Sequence, residues 1–359
     1  MDHYYAVIMA GGGGTRLWPM SRRNNPKQVL KFIEKKSLFK ISIERLMDLF
    51  PLERIYVVTI AEQKELLQKE VPALPGENYI IEPMPRGTAS VVGLAATYLQ
   101  KKDNQAVMAV LTADHIIKNT DSFKSLLTEG YQLAQKDLLV TLGITPSFSS
   151  TGYGYIEIGS KIENSNGYFA KRFVEKPDRE TAERYLQSGN YLWNSGMFVW
   201  KCTTVLDEIK KQMPDLSEKL ELIYERINYH FIIEPIHSIW ETIQPQTIDY
   251  GIMERAPRVA VLPAAHLGWN DIGSWDSLYE FSDADQSGNL IDGDHIIEIG
   301  TENSIIYATD TKKMIAVVGM KDVIIISHEN AVLICKKGES QRVKEVIRQI
   351  KEKKLNQFL

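Results

Sequence analysis

The stretch YYAVIMAGGGGTRLWP, residues 4–19, decides how the rest of the chain is interpreted. Its first seven residues are a continuous apolar run, the pattern of a strand buried on both faces of a parallel sheet. Four glycines, Gly11 to Gly14, follow directly. Glycine leaves backbone N–H groups exposed and lets phosphate oxygens approach without a Cβ in the way. We therefore predict an α/β fold whose first loop binds phosphates.

The glycine loop fits neither of two common phosphate-binding patterns. A Walker A loop ends in Gly-Lys-Ser/Thr, and a dinucleotide fingerprint needs a third glycine where this chain has Arg16 or Leu17. The missing glycine also argues against a nucleotide-sugar dehydrogenase. Basic residues follow the loop instead and could supply the positive field that a triphosphate needs. They are Arg16, Arg22, Arg23 and Lys27.

Apolar strands and helical patterns alternate beyond the loop. Residues 106–112 and 138–143 have the pattern of buried strands, and residues 89–99 and 122–135 have that of helices. This alternation predicts a mainly parallel, Rossmann-like sheet covered by helices, with ligands at the carboxyl ends of the strands.

The pattern changes after residue 283 to short β runs, and a basic helix follows at 340–354. We predict two domains. The first, residues 1–283, would be catalytic, and the second, residues 284–359, would be small, β-rich and end in a helix.

Composition predicts a soluble, cytoplasmic protein. The formal net charge is −4 and the pI is near 6.0, which argues against a surface built for nucleic acid. No apolar stretch approaches the roughly 18 residues of a membrane helix, and the N-terminus lacks the basic region of a signal peptide. The two cysteines, Cys202 and Cys335, suggest no disulfide framework and fit a reducing compartment.

The glycine loop, together with Pro26-Lys27-Gln28, resembles the GGxGTRLxP…PKQ signature of the sugar-nucleotide pyrophosphorylases, specifically their mannose-1-phosphate guanylyltransferase branch. Gly13 stands where many members have serine. The resemblance implies a GT-A-like nucleotidyltransferase fold in which the loop wraps the nucleotide, and the residues matching Arg16 and Lys27 hold its phosphates. The nucleotide-binding residues implied by this motif are Ala10, Gly11, Gly12, Gly13, Gly14, Thr15, Arg16 and Lys27.

Two aspartates lie in segments that resemble the family's metal motifs. Ala113-Asp114-His115 follows a predicted strand and is similar to (T/P)xDH, and Asp271 lies in GWNDIGSW, similar to W-x-D-x-G-x-W. Taken alone, Asp114 could equally be a helix cap or a turn former, and Asp271 would be interpreted as a turn residue. The resemblance implies that both bind Mg²⁺, which typically takes one or two carboxylates plus phosphate oxygens. It also implies that Asp114 contacts the nucleotide.

The segment EPMPRGTA, residues 82–89, resembles the EPxxRNTA segment that meets guanine and ribose in this branch, with a glycine replacing the usual asparagine. A carboxylate can accept hydrogen bonds from N1–H and N2–H₂ of guanine, a donor pattern that adenine lacks. Taken alone, the segment also fits a helix N-terminus. The implied nucleotide contacts are Glu82, Pro83, Arg86, Gly87 and Thr88.

Three further segments, TGYGY, FVEKP and NSGMF, resemble the family's sugar-binding motifs. The resemblance implies that Glu175 accepts hydrogen bonds from sugar hydroxyls and that Asn194 touches the sugar. It also implies that Lys176 neutralises the sugar phosphate and that the hexose approaches the backbone at Gly154. A fourth segment, IDYGIME, also matches the family. We expect structural or supporting roles for its polar residues, Asp249, Tyr250 and Glu254.

These matches span about the first 280 residues and imply an enzyme. It would transfer GMP from GTP to mannose 1-phosphate with Mg²⁺, giving GDP-mannose and pyrophosphate, and it would be a homodimer. No protein nucleophile is needed, because a phosphate dianion already attacks adequately. The implied catalytic residues are Arg16, Lys27, Asp114 and Lys176.

Two alternatives remain open from the sequence. One is the same chemistry with another base or sugar, as in a glucose-1-phosphate uridylyl- or thymidylyltransferase. The other is a catalytically silent sugar-nucleotide sensor, which would not need the metal carboxylates. The C-terminal part resembles the short β extension of monofunctional members, whereas longer members carry an isomerase domain with a His-x-His cluster that this chain lacks.

Overall fold

The structure is a computed structural model that describes residues 1–12, 14–32, 35–227, 234–309 and 312–359. These residues form two compact units. The large unit comprises Met1–Gly11, Ile41–Ala113 and Ile117–Trp269, and the small unit comprises Gly12–Lys40, Asp114–Ile116 and Asn270–Leu359. The segments at 12–40 and 114–116 thus group with the C-terminal part of the chain. The domain boundary at residue 283 stays a prediction.

The strands, in chain order, are β1 (Tyr4–Met9), β2 (Ile55–Ile60), β3 (Tyr79–Glu82), β4 (Val107–Thr112), β5 (Ile116–Ile117), β6 (Leu139–Ile144), β7 (Tyr155–Lys161), β8 (Tyr168–Val174), β9 (Tyr191–Lys201), β10 (Val259–Pro263), β11 (Trp269–Asn270), β12 (Leu290–Asp292), β13 (Ile296–Ile299), β14 (Ile305–Ala308), β15 (Ile315–Val318), β16 (Val323–His328) and β17 (Ala331–Lys336).

The α-helices are α1 (Leu38–Glu44), α2 (Ala61–Glu70), α3 (Thr88–Lys102), α4 (Thr120–Ala134), α5 (Arg179–Ser188), α6 (Cys202–Gln212), α7 (Pro214–Arg226), α8 (Glu234–Trp240), α9 (Trp275–Phe281) and α10 (Val343–Glu352). A π-helical turn covers Asp249–Met253.

A nine-stranded sheet runs through the large unit in the order β3-β2-β1-β4-β9-β6-β10-β8-β7. The first four strands pair in parallel, as do β6 and β10, whereas β9 and β8 run antiparallel to their neighbours. The predicted mainly parallel α/β sheet is confirmed, and the strands and helices expected at residues 89–143 all form.

Both faces of this sheet are covered, as the neighbours of β1 show. The Tyr4 hydroxyl donates to the Leu127 carbonyl of α4 at 2.8 Å. The next side chain, Tyr5, points to the other face and joins the core that contains Val92 of α3 and Val205 of α6. Alternate side chains of a strand point to opposite faces, so a strand covered on both sides must be apolar throughout. The apolar run of β1 is continuous because side chains on both of its faces are buried.

The small unit is built on short parallel strands. β14 pairs in parallel with β12 and β16, and β13 pairs in parallel with β15, while β17 closes the unit antiparallel to β16. The predicted β-rich C-terminal part with its helix is confirmed. Helix α10 buries Val343, Ile347 and Ile350 in the same core as Trp18 and Trp275.

The segment after the glycine loop is fixed to this unit by its tryptophan. The indole Nε1 of Trp18 donates to the Phe358 carbonyl at 2.7 Å, and Trp275 Nε1 donates to the Trp18 carbonyl at 3.1 Å. Buried indole N–H groups need such partners. These two bonds therefore position the loop residues that follow β1.

Candidate functional site

Lys27 is the centre of a polar cluster in the small unit. It opens a short 3₁₀ turn after Pro26, and the residue is only 6% exposed. Its Nζ donates to Asp114 Oδ2 at 2.8 Å and to the backbone carbonyl of Asp271 at 2.6 Å. Three of the predicted residues, which lie far apart in the sequence, are thus brought together.

Asp114 is held in its charged form. Burial raises its pKa, but the positive charges of Lys27 and His115, together with the hydrogen bond from Lys27, outweigh burial and keep the pKa below its usual range. The Asp271 carboxylate accepts from the Gly273 N–H at 3.2 Å. The Lys27 ammonium thus pairs with the carboxylate of Asp114 and with the backbone carbonyl, not the carboxylate, of Asp271.

The donor set of the cluster fits Mg²⁺. The described residues contain no group of three or more His, Cys, Asp and Glu side chains that could hold a metal by themselves. Mg²⁺ typically takes one or two carboxylates, and phosphate oxygens and water complete its shell. Asp114 and Asp271 are the residues that would hold it.

Gly14 links the loop to this cluster. Its backbone is left-handed, with φ at 56°, and a Cβ added there would lie 2.3 Å from the Cβ of Lys27. Only glycine fits such a position without moving the neighbour. The Gly14 carbonyl accepts from the Ser21 hydroxyl at 2.5 Å, and the Gly12 carbonyl accepts from Gln28 Nε2 at 3.3 Å. Gly13 lies outside the described residues.

The basic residues after the loop have different environments. Thr15 and Arg16 are exposed, so their side chains are accessible to a ligand. Arg22, in contrast, is 7% exposed, donates to the carbonyls of Pro19 and His328 and lies 3.3 Å from Glu329. The charge of Arg22 is therefore used inside the small unit rather than presented to a triphosphate.

Glu82, the predicted reader of the base, ends β3 in the large unit and is 3% exposed. Burial raises its pKa to about 7, opposed by a hydrogen bond from the Arg86 backbone. Its Oε2 has no hydrogen-bond partner among the described residues, and its Oε1 lies 3.4 Å from the place of a Cβ on Gly11. A buried carboxylate oxygen without a partner costs free energy unless a ligand completes it.

The segment that follows Glu82 is held by a chain stretch from Trp240 to Ile248. Trp240 Nε1 donates to the Met84 carbonyl at 2.7 Å, and Ile248 N donates to Thr88 Oγ1 at 2.9 Å. Arg86 Nη2 donates to the Glu241 carbonyl at 2.6 Å, so part of this side chain has a structural use.

At Gly87, which replaces the family's usual asparagine, the backbone conformation and a close neighbour both favour glycine. Its φ is 84°, and a Cβ would lie 2.3 Å from the carbonyl oxygen of Gln246. Backbone cannot move aside as a flexible side chain can. The departure from the family pattern therefore matches a local close approach.

The predicted sugar residues form a second cluster in the large unit. The Asn194 N–H donates to the Gly154 carbonyl at 2.8 Å, and Lys176 Nζ donates to Glu175 Oε1. Glu175 Oε2 would lie 2.3 Å from a Cβ on Gly154, so glycine leaves room for this carboxylate. Lys176 has a left-handed backbone, with φ at 47°, an uncommon conformation for a residue with a side chain.

Three residues, Asp249, Glu254 and Thr141, contact the predicted sugar residues directly. Asn194 Nδ2 donates to Asp249 Oδ1 at 2.8 Å, and the Glu175 N–H donates to Glu254 Oε1 at 3.3 Å. Thr141, in the middle of β6, lies 3.2 Å from Asn194 Oδ1. The IDYGIME segment pointed to the first two partners, but a threonine inside an apolar strand gave no signal.

No described helix is both long enough and apolar enough to cross a membrane.

Comparisons with known proteins show the family of the chain. Residues 5–288 match the family described as nucleotidyl transferase, and residues 294–350 match the mannose-phosphate isomerase/GMP-like beta-helix domain. The chain belongs to the nucleotidyl transferase family and is a nucleotidyltransferase.

Its relatives define the branch of that family. A putative mannose-1-phosphate guanylyltransferase of Vibrio cholerae is 36% identical over 97% of this chain and 74% of its own length. A mannose-1-phosphate guanylyltransferase of Klebsiella pneumoniae is 37% identical over 98% of this chain and 75% of its own length. The chain thus falls among the mannose-1-phosphate guanylyltransferases, enzymes of sugar-nucleotide synthesis, as the motifs implied.

A solved structure shows the same fold. The crystal structure described as mannose-1-phosphate geranyltransferase from Thermus thermophilus superposes with a TM-score of 0.88 at 29% identity, and the match covers 97% of this chain and 99% of that one.

Proposed function

We propose that this enzyme transfers GMP from GTP to mannose 1-phosphate, releasing pyrophosphate and giving GDP-mannose. The observation that carries the proposal is the convergence of Lys27, Asp114 and Asp271 in one cluster. A transferred nucleotidyl group needs charge neutralisation more than it needs a nucleophile. This cluster supplies a buried cation beside the Asp114 carboxylate. Asp271, whose backbone carbonyl meets the same cation, would bring a second carboxylate for a divalent ion.

In the proposed step, an oxygen of the mannose 1-phosphate dianion forms a bond to the α-phosphorus of GTP. The bond from the α-phosphorus to the bridging oxygen of the β-phosphate breaks, and pyrophosphate leaves. Bound Mg²⁺, held by Asp114 and Asp271, would neutralise phosphate charge. Lys27 and the exposed Arg16 bind the triphosphate, and backbone N–H groups of the glycine loop orient it. The Ala10 N–H does not take part, because it donates to the Val58 carbonyl at 2.9 Å.

Two residues near the sheet, Cys202 and Ser195, are poorly suited to act as the nucleophile of a covalent alternative. Cys202 is buried, and burial raises the pKa of its thiol, so the reactive thiolate is disfavoured. The Ser195 hydroxyl is buried and donates to the Leu142 carbonyl at 2.7 Å. Direct attack by the substrate's own phosphate is the step that the residues support.

Residues of the large unit would select the base of the nucleotide and the sugar phosphate. The Glu82 carboxylate, completed by N1–H and N2–H₂ of guanine, favours GTP over ATP. Glu175, Lys176 and Asn194 bind the hexose 1-phosphate at the second cluster, with Gly154 beside the ring. We also propose that the enzyme is a cytoplasmic homodimer with Mg²⁺ as its cofactor.

The test is pyrophosphate release from each of the four NTPs with Mg²⁺, with mannose 1-phosphate and glucose 1-phosphate in turn. GTP with mannose 1-phosphate should exceed every other pair. Equal use of UTP or dTTP would replace the guanylyl assignment by the uridylyl or thymidylyl alternative. Release from no pair would favour the sensor.

A further inference from the structure

The side chain of Asn194 has almost no hydrogen-bonding capacity left. Its Oδ1 accepts from the Gly196 N–H at 3.1 Å and lies 3.2 Å from the Thr141 hydroxyl. One N–H of its amide donates to Asp249 Oδ1 at 2.8 Å. An amide has two N–H donors and one oxygen with two lone pairs. Among the described residues, one N–H of Asn194 therefore remains for a ligand.

The neighbours also settle which way the amide points. Gly196 offers a backbone N–H, which can only donate, so the atom facing it must be the amide oxygen. Asp249 offers a carboxylate, which accepts, so the atom facing it must be the nitrogen. Amide orientation has to be inferred from such partners, and here two independent neighbours agree.

The surroundings of Asp249 disfavour its charged form. Burial and the nearby negative charge of Glu175 raise its pKa to about 6, and the hydrogen bond from Asn194 and the positive charge of Lys176 oppose this rise. A half-buried carboxylate beside another carboxylate costs stability in its charged form. Such costs are typical of residues that serve a site rather than the fold.

We propose that Asp249 is a positioning residue for the sugar acceptor: it fixes the Asn194 amide so that its remaining N–H donates to a hydroxyl oxygen of the hexose. This inference rests on the proposed function of the second cluster. Without Asp249, only the contacts of Oδ1 with Gly196 and Thr141 would hold the amide. The amide plane could then tilt about that oxygen, and the N–H for the sugar would lose its fixed direction.

Two variants of Asp249 separate this role from a merely structural one. Asp249→Ala removes the acceptor, and the apparent KM for mannose 1-phosphate should rise about tenfold while that for GTP stays within about twofold. Asp249→Asn keeps an oxygen that can accept from the amide, so its KM for mannose 1-phosphate should stay within about threefold of the parent. Equal rises for both substrates in Asp249→Ala, or no rescue by Asp249→Asn, would overturn the proposal.

A double-mutant cycle tests whether Asp249 acts through Asn194. If it does, Asp249→Ala combined with Asn194→Ala should be no worse than Asn194→Ala alone, because the positioned group is already gone. Multiplicative losses would show that the two residues act independently. Asp207→Ala, which removes an exposed aspartate of α6 in the same unit, is the matched control and should leave both KM values unchanged.

Monodeoxy mannose 1-phosphates identify the hydroxyl and give a readout that a loss of stability would not produce. One of them should be penalised with the parent enzyme but show a much smaller penalty with Asp249→Ala, since the contact it lacks is already lost. If no penalty shrinks, the positioning role is wrong. The parent is assayed first: absence of GDP-mannose there would contradict the proposed function, whereas turnover with unchanged penalties contradicts only this inference.

Discussion

Glu82 should make the stability of the protein depend on pH in a direction that the structure fixes. Its pKa is raised by burial from 4.5 to about 7. A group whose pKa is raised on folding contributes stability that is fully present below the unfolded pKa and is lost as pH rises through the folded pKa. The difference from 4.5 to about 7 corresponds to about 3 kcal/mol, most of which is lost between pH 5 and pH 8.

The test compares the parent with Glu82→Gln, which has a neutral side chain of similar size. Urea unfolding at pH 5, 6, 7 and 8 gives the free energy of unfolding of each protein, and the advantage of the parent over the variant should fall by about 2 to 3 kcal/mol across this range. Other titrating groups are common to both proteins and cancel. Glu62→Gln, on an exposed position of α2, is the control and should show no such trend.

In the free protein, burial favours the protonated form of Glu82, whereas binding of GTP should favour its charged form. The guanine N–H groups stabilise the charged carboxylate, so the apparent KM for GTP should rise as pH falls below 7, and this rise should be absent in Glu82→Gln. A difference in unfolding free energy that does not change between pH 5 and pH 8 would refute the buried, partnerless carboxylate on which the assignment of the base depends.

Three further outcomes are expected. Lys176→Ala should raise the apparent KM for mannose 1-phosphate on the order of tenfold to a hundredfold and that for GTP much less, and the reverse pattern would misplace this lysine. Asp114→Asn and Asp271→Asn should each raise the Mg²⁺ concentration needed for half-maximal activity, and the double variant should lose much less than the product of the two losses; a multiplicative loss would separate the two carboxylates. Gly14→Ala should raise the KM for GTP because its Cβ would lie 2.3 Å from the cluster lysine, whereas Gly189→Ala, with a similar φ of 67° but no atom within 4 Å, should cost only stability.

The sheet could be predicted from the sequence because its signal is local. A strand covered on both faces is apolar wherever it is buried on both sides, and the first five residues of β4, VMAVL, show this pattern. The glycine loop was equally readable, since glycine at Gly14 answers a backbone requirement that no other residue meets well.

The parts that were missed depend on contacts between distant residues. A count of basic residues after the loop treats Arg22 and Arg16 alike, but Arg22 turns inward to His328 and Glu329, about 300 positions away. A residue type specifies the charge of a side chain, not its direction. For the same reason, nothing in the sequence placed Thr141 beside Asn194.

The grouping of residues 12–40 with the C-terminal part was also not predictable. It depends on contacts between distant residues: Leu17 and Trp18 share a hydrophobic core with Trp275, and the hydrogen bond from Trp18 to Phe358 joins positions 340 residues apart. The sequence pattern did not predict helices α6 and α7, because residues 202–226 lack the clear alternation with strands that marks the first half of the chain.

Product analysis of the purified protein tests the central claim most directly. With GTP, mannose 1-phosphate and Mg²⁺, the account predicts that GDP-mannose and pyrophosphate form in equal amounts and that neither forms when the sugar phosphate is left out. Pyrophosphate released without a sugar acceptor, or turnover of GTP that yields no GDP-mannose, would contradict it.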